Sequence, residues 1–417
     1  MMGSTRLSIC FAPVAPATLA VVLACGCATQ NAPSAQAGHW TTTWGASETV
    51  PAEDSPAFSN QTLRLIVHTT GGGNQVRIKL TNVFGSRPLS IGVASIALQE
   101  SGARLVAGSS HALTFGGRSS IVIPTGAYVL SDSVSLSVLP QHDLSVSFFI
   151  SGDSGPVSMH PLALQTSFVS TPGDFVARDD GAPFPTAIHH WPYLAAVEVS
   201  ASDHSRSIVA FGDSITDGYH STADANHRWP DYLEDRLAAA HRNVAVVNEG
   251  IGGNRMWHDA IPGRLAFGPN GLSRFDRDAL TVTGASHIVV LLGINDIGQA
   301  SPTSHPEEQV SAEEIIVGLK QFTLRARAHG IRIIGGTLTP YQGAAYFDTL
   351  GEEKRERVNA WIRTAKEFDG IIDFDAALRD PAAPAQMKAA YDSGDHLHPN
   401  DAGYKAMAAA VDLALFD

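Results

Sequence analysis

The chain has 417 residues, and its 28 Lys and Arg against 41 Asp and Glu give a formal net charge of −13. Such an acidic chain is not expected to bind nucleic acid, because phosphate contacts need clustered Lys and Arg. The length predicts two or three domains at roughly 100–200 residues each, and a hydrophobic content of 44% is enough for buried cores. The three cysteines, Cys10, Cys25 and Cys27, lie near the start, which excludes a disulfide framework or a Cys-ligated metal in the rest of the chain.

Residues 1–28 have the pattern of an export signal. Arg6 is the only charged residue before a run of small and apolar residues at 14–25, which is too short for a bilayer core that needs about 20 residues. The pattern predicts a secretory signal peptide, and residues 22–25 also resemble a bacterial lipobox with Cys25 as the lipidated residue. A signal that is cleaved later, after Ala37, is the alternative.

We therefore expect an exported protein that is periplasmic, extracellular or lipid-anchored at the cell envelope. Contact with a membrane is expected only through such a lipid anchor, because no other apolar run is long enough to span a bilayer. Residues 29–38 are predicted to be a flexible linker.

Residues 39–203 have the short, period-two pattern of β-strands. The runs 62–68 and 75–80 flank the glycine-rich segment 71–74, which is typical of a hairpin. Residues 133–138 alternate strictly between apolar and serine side chains, as a strand with one face in water does. Many short strands without a clear helix predict an all-β sandwich of the jelly-roll type. Glycan binding and support of the following domain are both open as its role.

Residues 204–417 alternate between strand-like apolar runs and segments of helix length. The predicted strands are residues 208–211, 244–247, 288–292, 331–334 and 371–374. The predicted helices are residues 229–241, 312–329, 352–367 and 402–415. This alternation predicts a parallel sheet that is covered by helices on both faces. Functional residues of such sheets lie beyond the carboxyl ends of the strands.

The first strand and the last helix of this half each adjoin a motif for nucleophilic catalysis. The segment GDSITDG at residues 212–218 places Ser214 where the strand meets a helix. Asp395 and His398 are three residues apart, so the carboxylate can reach Nδ1 of the imidazole and leave Nε2 for Ser214. His396 is the competing histidine, and a His-x-His pair also occurs in metal sites, but no clear third ligand lies near it. We expect neither a metal nor a cofactor.

Two segments rich in Gly and Asn follow the second and third predicted strands. The glycines of residues 248–254 allow a backbone N–H to approach a substrate oxygen. In residues 292–296 the Asn295 amide can donate to the same oxygen, while Asp296 holds the loop. Gly and Asn are also ordinary turn residues. Their occurrence at successive strand ends, together with the serine and the Asp–His pair, favours an active site.

With these motifs in this order, residues 207–417 resemble the SGNH hydrolases, also called the GDSL esterase/lipase family. The resemblance implies a flavodoxin-like, three-layer α/β/α domain. It implies a catalytic triad of Ser214, His398 and Asp395. It also implies an oxyanion hole made by the N–H groups of Ser214 and Gly253 and the amide of Asn295, with Gly252 as the alternative to Gly253. Residues 228–231, 293–298 and 373–381 are similar to a secreted subgroup that carries an additional N-terminal β-domain.

This resemblance implies a serine carboxylic ester hydrolase. The chain shows no long apolar lid, so we expect short-acyl substrates, in particular O-acetyl groups on carbohydrates or polysaccharides. A lysophospholipase or arylesterase is the alternative within the family, and a non-catalytic carbohydrate-binding surface protein is the alternative outside it. The predicted substrate contacts, each with a structural loop role as its alternative, are Trp229, Asn254, Arg255 and Trp257. In this role the tryptophans are predicted to stack on the face of a sugar ring.

Residues 152–156 read Gly-Asp-Ser-Gly-Pro and resemble the serine region of trypsin-like proteases. The motif lacks the second glycine after the serine and lies in the β-rich half, without His and Asp in the expected order. We interpret it as a turn between strands, because a motif needs its structural context.

Overall fold

The computed structural model describes residues 39–51, 55–201, 205–300 and 304–417. The predicted signal peptide, the linker, Cys25 and the predicted domain boundary at residues 203 and 204 lie outside this part. The chain from Gly38 to Asp417 forms a single unit that contains two separate hydrophobic cores. None of the helices in the described residues has the length and hydrophobicity needed to cross a membrane.

The first core belongs to an all-β domain whose described residues form fifteen strands. They are β1 (His39–Gly45), β2 (Ala57–Thr69), β3 (Gly73–Thr81), β4 (Leu89–Ser101), β5 (Arg104–Leu105), β6 (His111–Leu113), β7 (Ile121–Ile123), β8 (Tyr128–Leu130), β9 (Val134–Val138), β10 (His142–Pro156), β11 (Met159–His160), β12 (Ser167–Pro172), β13 (Thr186–Ile188), β14 (Trp191–Pro192) and β15 (Leu194–Ala201).

These strands form two antiparallel sheets that enclose the first core. One sheet has the order β1-β15-β3-β8, with β9 also paired to β3. The other has the order β13-β12-β2-β10-β4-β5, with β6 and β7 also paired to β4. Strands β1 to β4 therefore alternate between the two sheets, and the last long strand lies between β1 and β3. This is the strand arrangement of a jelly roll, as the sequence pattern predicted.

Buried and exposed side chains alternate along β9 but not along β10. In β9, Leu136 and Val138 are buried while Ser135 and Ser137 are exposed. In β10, Ser145 and Ser147 are buried as well as the apolar residues between them. The serine face is covered because Arg64 lies against it, with its Nε donating to Ser147 Oγ at 3.0 Å. Covering of a second face is a tertiary effect that the period-two pattern does not report.

The second core belongs to an α/β domain. Its strands are β16 (Arg206–Gly212), β17 (Val244–Gly250), β18 (Ala285–Leu291), β19 (Arg332–Gly336), β20 (Gly370–Ile372), β21 (Arg379–Asp380) and β22 (Ala383–Met387). Its helices are α1 (Ser214–Asp217), α2 (Trp229–Ala239), α3 (Gly271–Phe275), α4 (Ile294–Gly298), α5 (Ala312–Ala328), α6 (Thr349–Thr364), α7 (Phe374–Leu378) and α8 (Asp401–Ala409). A π-helical turn, Asp276–Leu280, extends α3.

Five of these strands form a parallel sheet in the order β17-β16-β18-β19-β20. Numbered along the domain, this is the order 2-1-3-4-5 of flavodoxin-like folds, so the predicted fold class is confirmed. The fifth strand is shorter than predicted because the Asp373 side chain accepts from Ala376 N at 3.1 Å and begins α7. The last helix also ends earlier, at Ala409, and Leu413–Phe416 form a 3₁₀ turn.

The all-β domain covers the free edge of this sheet at β17. Thr70 Oγ1 accepts from Val246 N at 3.1 Å and donates to Val246 O at 2.9 Å. In the same interface Thr42 N donates to Thr283 O at 2.9 Å, and Ser207 Oγ donates to Thr42 O at 2.9 Å. An edge strand exposes unpaired backbone groups, and Thr70 satisfies those of Val246.

Candidate active site

The predicted nucleophile lies at the sharp turn between β16 and α1. Asp213 is the N-cap of this short helix, and its Oδ1 accepts from Ile215 N at 3.0 Å. Ser214 is the first helical residue, and Gly218 ends the helix with a φ of 98°. The strand thus delivers the serine to the carboxyl end of the sheet, where the turn holds its backbone in place.

Ser214, His398 and Asp395 form one hydrogen-bonded chain. Ser214 Oγ lies 2.7 Å from His398 Nε2, and His398 Nδ1 lies 2.6 Å from Asp395 Oδ2. A carboxylate only accepts hydrogen bonds, so Nδ1 carries the proton and Nε2 is left to accept from the serine hydroxyl. The structure therefore brings together three residues that the sequence placed 184 and three positions apart.

Asp395 is held in its ionised form. Its partial burial disfavours the charge, but hydrogen bonds from the side chain and the backbone N–H of His398 outweigh burial and keep the pKa of Asp395 well below its usual value. Asp395 Oδ1 accepts from the N–H groups of Leu397 and His398 at 2.9 and 2.8 Å. His396, the competing histidine, instead lies 2.6 Å from Asp392 Oδ2 and is exposed.

The loop after β17 distinguishes the two candidate glycine donors. The Gly252 N–H donates to Asp217 Oδ2 at 2.9 Å, so it is already engaged within the protein. Neither the Gly253 N–H nor the Ser214 N–H donates a hydrogen bond to an acceptor among the described residues. Gly253 has a φ of +74°, and a Cβ added there would lie 2.4 Å from the Phe267 ring. The geometry favours Gly253 over Gly252 as the donor to a substrate oxygen.

Asn295 lies at the start of α4, after β18, and contacts the same loop. Its Nδ2 donates to Asn254 O at 3.0 Å, which leaves the second amide hydrogen for a substrate. Asp296 holds the loop from beneath, because its carboxylate accepts from Met256 N at 2.7 Å and from Trp257 N at 3.0 Å. Burial raises the pKa of Asp296 to about 6 even though these two N–H groups favour the carboxylate.

Three of the four predicted substrate residues are buried, which favours the structural role that was the alternative for each of them. Trp229 is fully buried in the second core and presents no ring face to solvent. The Asn254 amide is fully engaged, since Nδ2 donates to Phe267 O and Pro269 O and Oδ1 accepts from Arg274 Nε. Arg255 is 2% exposed and pairs with Glu308 at 2.7 Å.

Trp257 keeps partial exposure, although its indole N–H donates to Glu314 O at 2.9 Å. A tryptophan near the oxyanion loop was predicted to stack on a sugar ring. This role stays a prediction for Trp257.

Two residues that the sequence reasoning missed border the triad. His220 Nε2 lies 3.3 Å from Asp395 Oδ2, so two imidazoles approach the same carboxylate oxygen. The Tyr219 ring packs edge-on against both His398 and His220, with centroids 4.8 and 4.3 Å apart, and 42% of the residue is exposed. Their position directly after the GDSITDG segment is the signal that could have identified them.

Arg274 is a further residue that was not predicted. Its guanidinium is fully buried and donates to Gly212 O at 2.7 Å, Glu249 O at 2.9 Å and Asn254 Oδ1 at 2.8 Å. These acceptors lie at the end of β16, at the end of β17 and in the oxyanion loop. Arg274 therefore fixes the spacing between the serine turn and this loop.

The protease-like motif at residues 152–156 lies in the all-β domain, and its serine is bonded to nearby backbone groups. It lies at the irregular end of β10, where the pairing with β2 shifts register. Ser154 Oγ accepts from Phe58 N at 2.9 Å and donates to Gly155 O at 2.8 Å. The motif ends a strand rather than forming a separate turn, and its serine has a local structural role.

The part of the chain that contains these residues is similar to known proteins. Residues 210–406 match the model of the GDSL-like Lipase/Acylhydrolase family. Similar solved structures include a carbohydrate acetylesterase family member from Sinorhizobium meliloti, a lipase/acylhydrolase from Enterococcus faecalis and the aryl esterase of M. smegmatis. Their identities to this chain are 20%, 21% and 17%, with TM-scores of 0.39, 0.38 and 0.38. Each alignment covers 49% of this chain and 94%, 92% and 95% of the respective structure. No curated protein sequence matches the chain.

Residues 210–406 are therefore a GDSL-like lipase/acylhydrolase domain, as the motifs predicted, and the protein is a carboxylic ester hydrolase.

Substitution of the two glycines by alanine separates the candidate oxyanion donors. Gly253→Ala is expected to lower kcat for ester hydrolysis by roughly 10²–10³-fold, the usual loss for one oxyanion donor, because its φ and the Phe267 ring exclude a Cβ. Gly252→Ala is the matched control, since its φ is not in the left-handed region and the nearest atom to an added Cβ is 3.7 Å away. Steady-state kinetics on both variants measure this difference, and thermal unfolding checks that both are folded. If Gly252→Ala lost as much activity as Gly253→Ala, the assignment of Gly253 would be contradicted.

Asp213 predicts a specific pH dependence of stability. Burial raises the pKa of Asp213 to about 7, although the Ile215 N–H favours the carboxylate, and its Oδ2 has no hydrogen-bond partner among the described residues. The folded state thus holds this proton more tightly than the unfolded state, so the contribution of Asp213 to stability is fully present below pH 4 and is lost as pH rises through 7. Asp213→Asn removes this titration and should stabilise the protein relative to wild type by on the order of 2–4 kcal/mol more at pH 8 than at pH 4.

Chemical unfolding at pH 4 and pH 8 measures this difference. Asp412→Asn is the control, because Asp412 caps Ala414 N at 3.0 Å in the same way but is exposed. Parallel pH curves for wild type and Asp213→Asn would show that Asp213 does not titrate in this range.

Proposed function

We propose that this protein hydrolyses short-acyl esters, with O-acetyl groups on carbohydrates or polysaccharides as the first candidate, through an acyl-enzyme on Ser214. The observation that carries the proposal is the hydrogen-bonded chain from Asp395 through His398 to Ser214. A serine hydroxyl is a weak nucleophile until an oriented base takes its proton, and this chain supplies both the base and its orienting carboxylate.

In the first half-reaction Ser214 Oγ attacks the ester carbonyl carbon while His398 Nε2 accepts the hydroxyl proton. Ionised Asp395 holds the Nδ1–H tautomer and stabilises the imidazolium that forms. The tetrahedral intermediate collapses as His398 gives its proton to the leaving alkoxide. Water then attacks the acyl-serine with His398 as its base, which releases the carboxylic acid and restores the serine.

The oxyanion of each tetrahedral intermediate needs donors that are already oriented. We assign the N–H groups of Ser214 and Gly253 and the Asn295 amide to this role. Their support is that the two N–H groups have no acceptor among the described residues and that Asn295 keeps one amide hydrogen free. Donors that need no reorganisation during the reaction give the largest rate effect.

The surroundings of the triad support a polar or aromatic alcohol as the leaving group of the ester. His220 and Tyr219 provide a polar group and a partly exposed ring directly beside His398. An aromatic face can pack on a sugar ring, as Trp257 is also predicted to do. The same face would equally accept an aromatic leaving group, so an arylesterase is the second candidate.

Substitution of the nucleophile tests the chemistry. Ser214→Ala is expected to lose ester hydrolysis by at least about 10³-fold with an unchanged fold, because catalysis without the triad falls to the residual of the oxyanion hole and binding. Ser273→Ala is the matched control, since Ser273 Oγ only donates to Asn270 O in α3. A fluorophosphonate probe should label wild type and Ser273→Ala but not Ser214→Ala. A wild-type protein that the probe does not label would favour the non-catalytic carbohydrate-binding alternative.

A substrate panel tests the specificity. Acetate release is expected from acetylated polysaccharides, and p-nitrophenyl esters should be hydrolysed fastest at two to four carbons. A maximum at eight carbons or longer would contradict the short-acyl proposal and support a lysophospholipase. High activity on aryl acetates without acetate release from any polysaccharide would support the arylesterase instead.

A further inference from the structure

The all-β domain places one buried histidine against the catalytic loop of the other domain. His160, the second residue of β11, is 2% exposed. Its Nδ1 lies 2.9 Å from the backbone oxygen of Ser47, and its Nε2 lies 3.0 Å from Asp217 Oδ1. Asp217 ends α1, three residues after the nucleophile. The contact therefore joins the two domains directly behind the serine turn.

The partners of His160 define its protonation state. A backbone carbonyl oxygen and a carboxylate oxygen are both acceptors, so each ring nitrogen must carry a hydrogen. Leu162 O, which lies 3.2 Å from Nε2, is also an acceptor. His160 is therefore an imidazolium that is paired with an ionised Asp217. Such a pair is strongly stabilising only when both charges are present, because either charge alone would be buried without compensation.

Asp217 connects this pair to the oxyanion loop. While Oδ1 faces His160, Oδ2 accepts from the Gly252 N–H at 2.9 Å. Gly252 immediately precedes Gly253, the donor assigned to the oxyanion. One carboxylate thus bonds the all-β domain on one side and the backbone of the catalytic loop on the other.

Two further titratable groups, Asp213 and Tyr404, are close enough to Asp217 for its charge to add to burial in raising their pKa values. Among the described residues, the cation that faces both His160 and Asp217 is Arg228. Its Nε donates to Asp217 O at 3.0 Å, its Nη2 donates to Ala163 O of the all-β domain, and it pairs with Asp231 at 3.4 Å. Burial and Arg228 lower the pKa of His160, but Asp217 and the Ser47 carbonyl outweigh them, so the pKa of His160 is raised above its usual value.

We propose that His160 is a positioning residue for ester hydrolysis, a cation supplied by the all-β domain that holds the oxyanion loop in its active geometry through Asp217. The proposal rests on the proposed function. It implies that the contact between His160 and the Asp217 carboxylate is intact at neutral pH and is lost as pH rises and His160 gives up its proton. Ester hydrolysis should then decline at alkaline pH because the contact between His160 and Asp217 is lost, and not because of a change within the triad.

Kinetics on three variants test the proposal. His160→Gln is expected to lower kcat by about 10–100-fold with little change in KM. The reason is that the oxyanion loop stabilises the substrate oxygen in the transition state and not in the bound substrate. Asp217→Asn should have a similar effect, and the double variant should be no worse than either single one, since both act through the same contact. The control is His111→Gln, a histidine in β6 of the same domain. The alkaline decline of wild type should be absent from His160→Gln.

Hydrogen–deuterium exchange gives a readout that needs no substrate. The peptide that contains residues 248–256 should exchange faster in His160→Gln than in wild type, and in wild type itself it should lose protection at alkaline pH after correction for intrinsic exchange. If wild type hydrolyses no ester but this peptide responds as described, the proposed function fails and the positioning contact stands. Unchanged protection at these residues would overturn the inference, as would a His160→Gln variant that is less stable but keeps wild-type kcat and its alkaline decline.

Discussion

The buried guanidinium of Arg274 is the interaction on which the arrangement of the site depends. It has no exposed surface in its side chain, and it lies 4.0 Å above the Phe211 ring. Burial lowers the pKa of Arg274 to about 10, with Asp278 opposing this effect, so the group is charged at neutral pH. A buried cation must be surrounded by acceptors. Here the acceptors are the ends of β16 and β17, the oxyanion loop and, at 3.1 Å, Ser47 Oγ of the all-β domain.

The need to surround the Arg274 guanidinium with acceptors links the fold to the chemistry. In a parallel sheet with the order 2-1-3-4-5, the carboxyl ends of β17, β16 and β18 are neighbours, and they carry the oxyanion loop, Ser214 and Asn295. The strand order brings these segments to one edge, but it does not fix their distances to within a hydrogen bond. Arg274, Asp217 and Asp296 do so with directional bonds to backbone groups, which an apolar core does not provide.

The sequence predicted the elements of the second half, and the pairing of Asp395 with His398, because both depend on local patterns. The apolar runs of the second half correspond to the five strands of the parallel sheet. The three-residue spacing of Asp395 and His398 is short enough to bring their side chains into contact. The sequence named Gly253 as the oxyanion glycine and left Gly252 as the alternative, because the choice depends on which N–H Asp217 engages after the chain has folded. The burial of Trp229 and Arg255 was not predictable for a related reason, since residue type indicates what a side chain can bind but not whether it is buried.

The least predictable contacts are those between the domains. His160 and Asp217 are 57 positions apart, and Ser47 and Glu249, which share a hydrogen bond of 2.6 Å, are 202 apart. Nothing in either local sequence indicates the partner, because Ser, His, Asp and Glu are more often solvated than buried. Their effect is nevertheless large. Without the all-β domain, Asp217 would lose its cation, Arg274 would lose an acceptor and the edge of β17 would lose Thr70. Since an unpaired buried charge costs several kcal/mol, the α/β domain depends on its companion to keep the catalytic loops in the arrangement that ester hydrolysis requires.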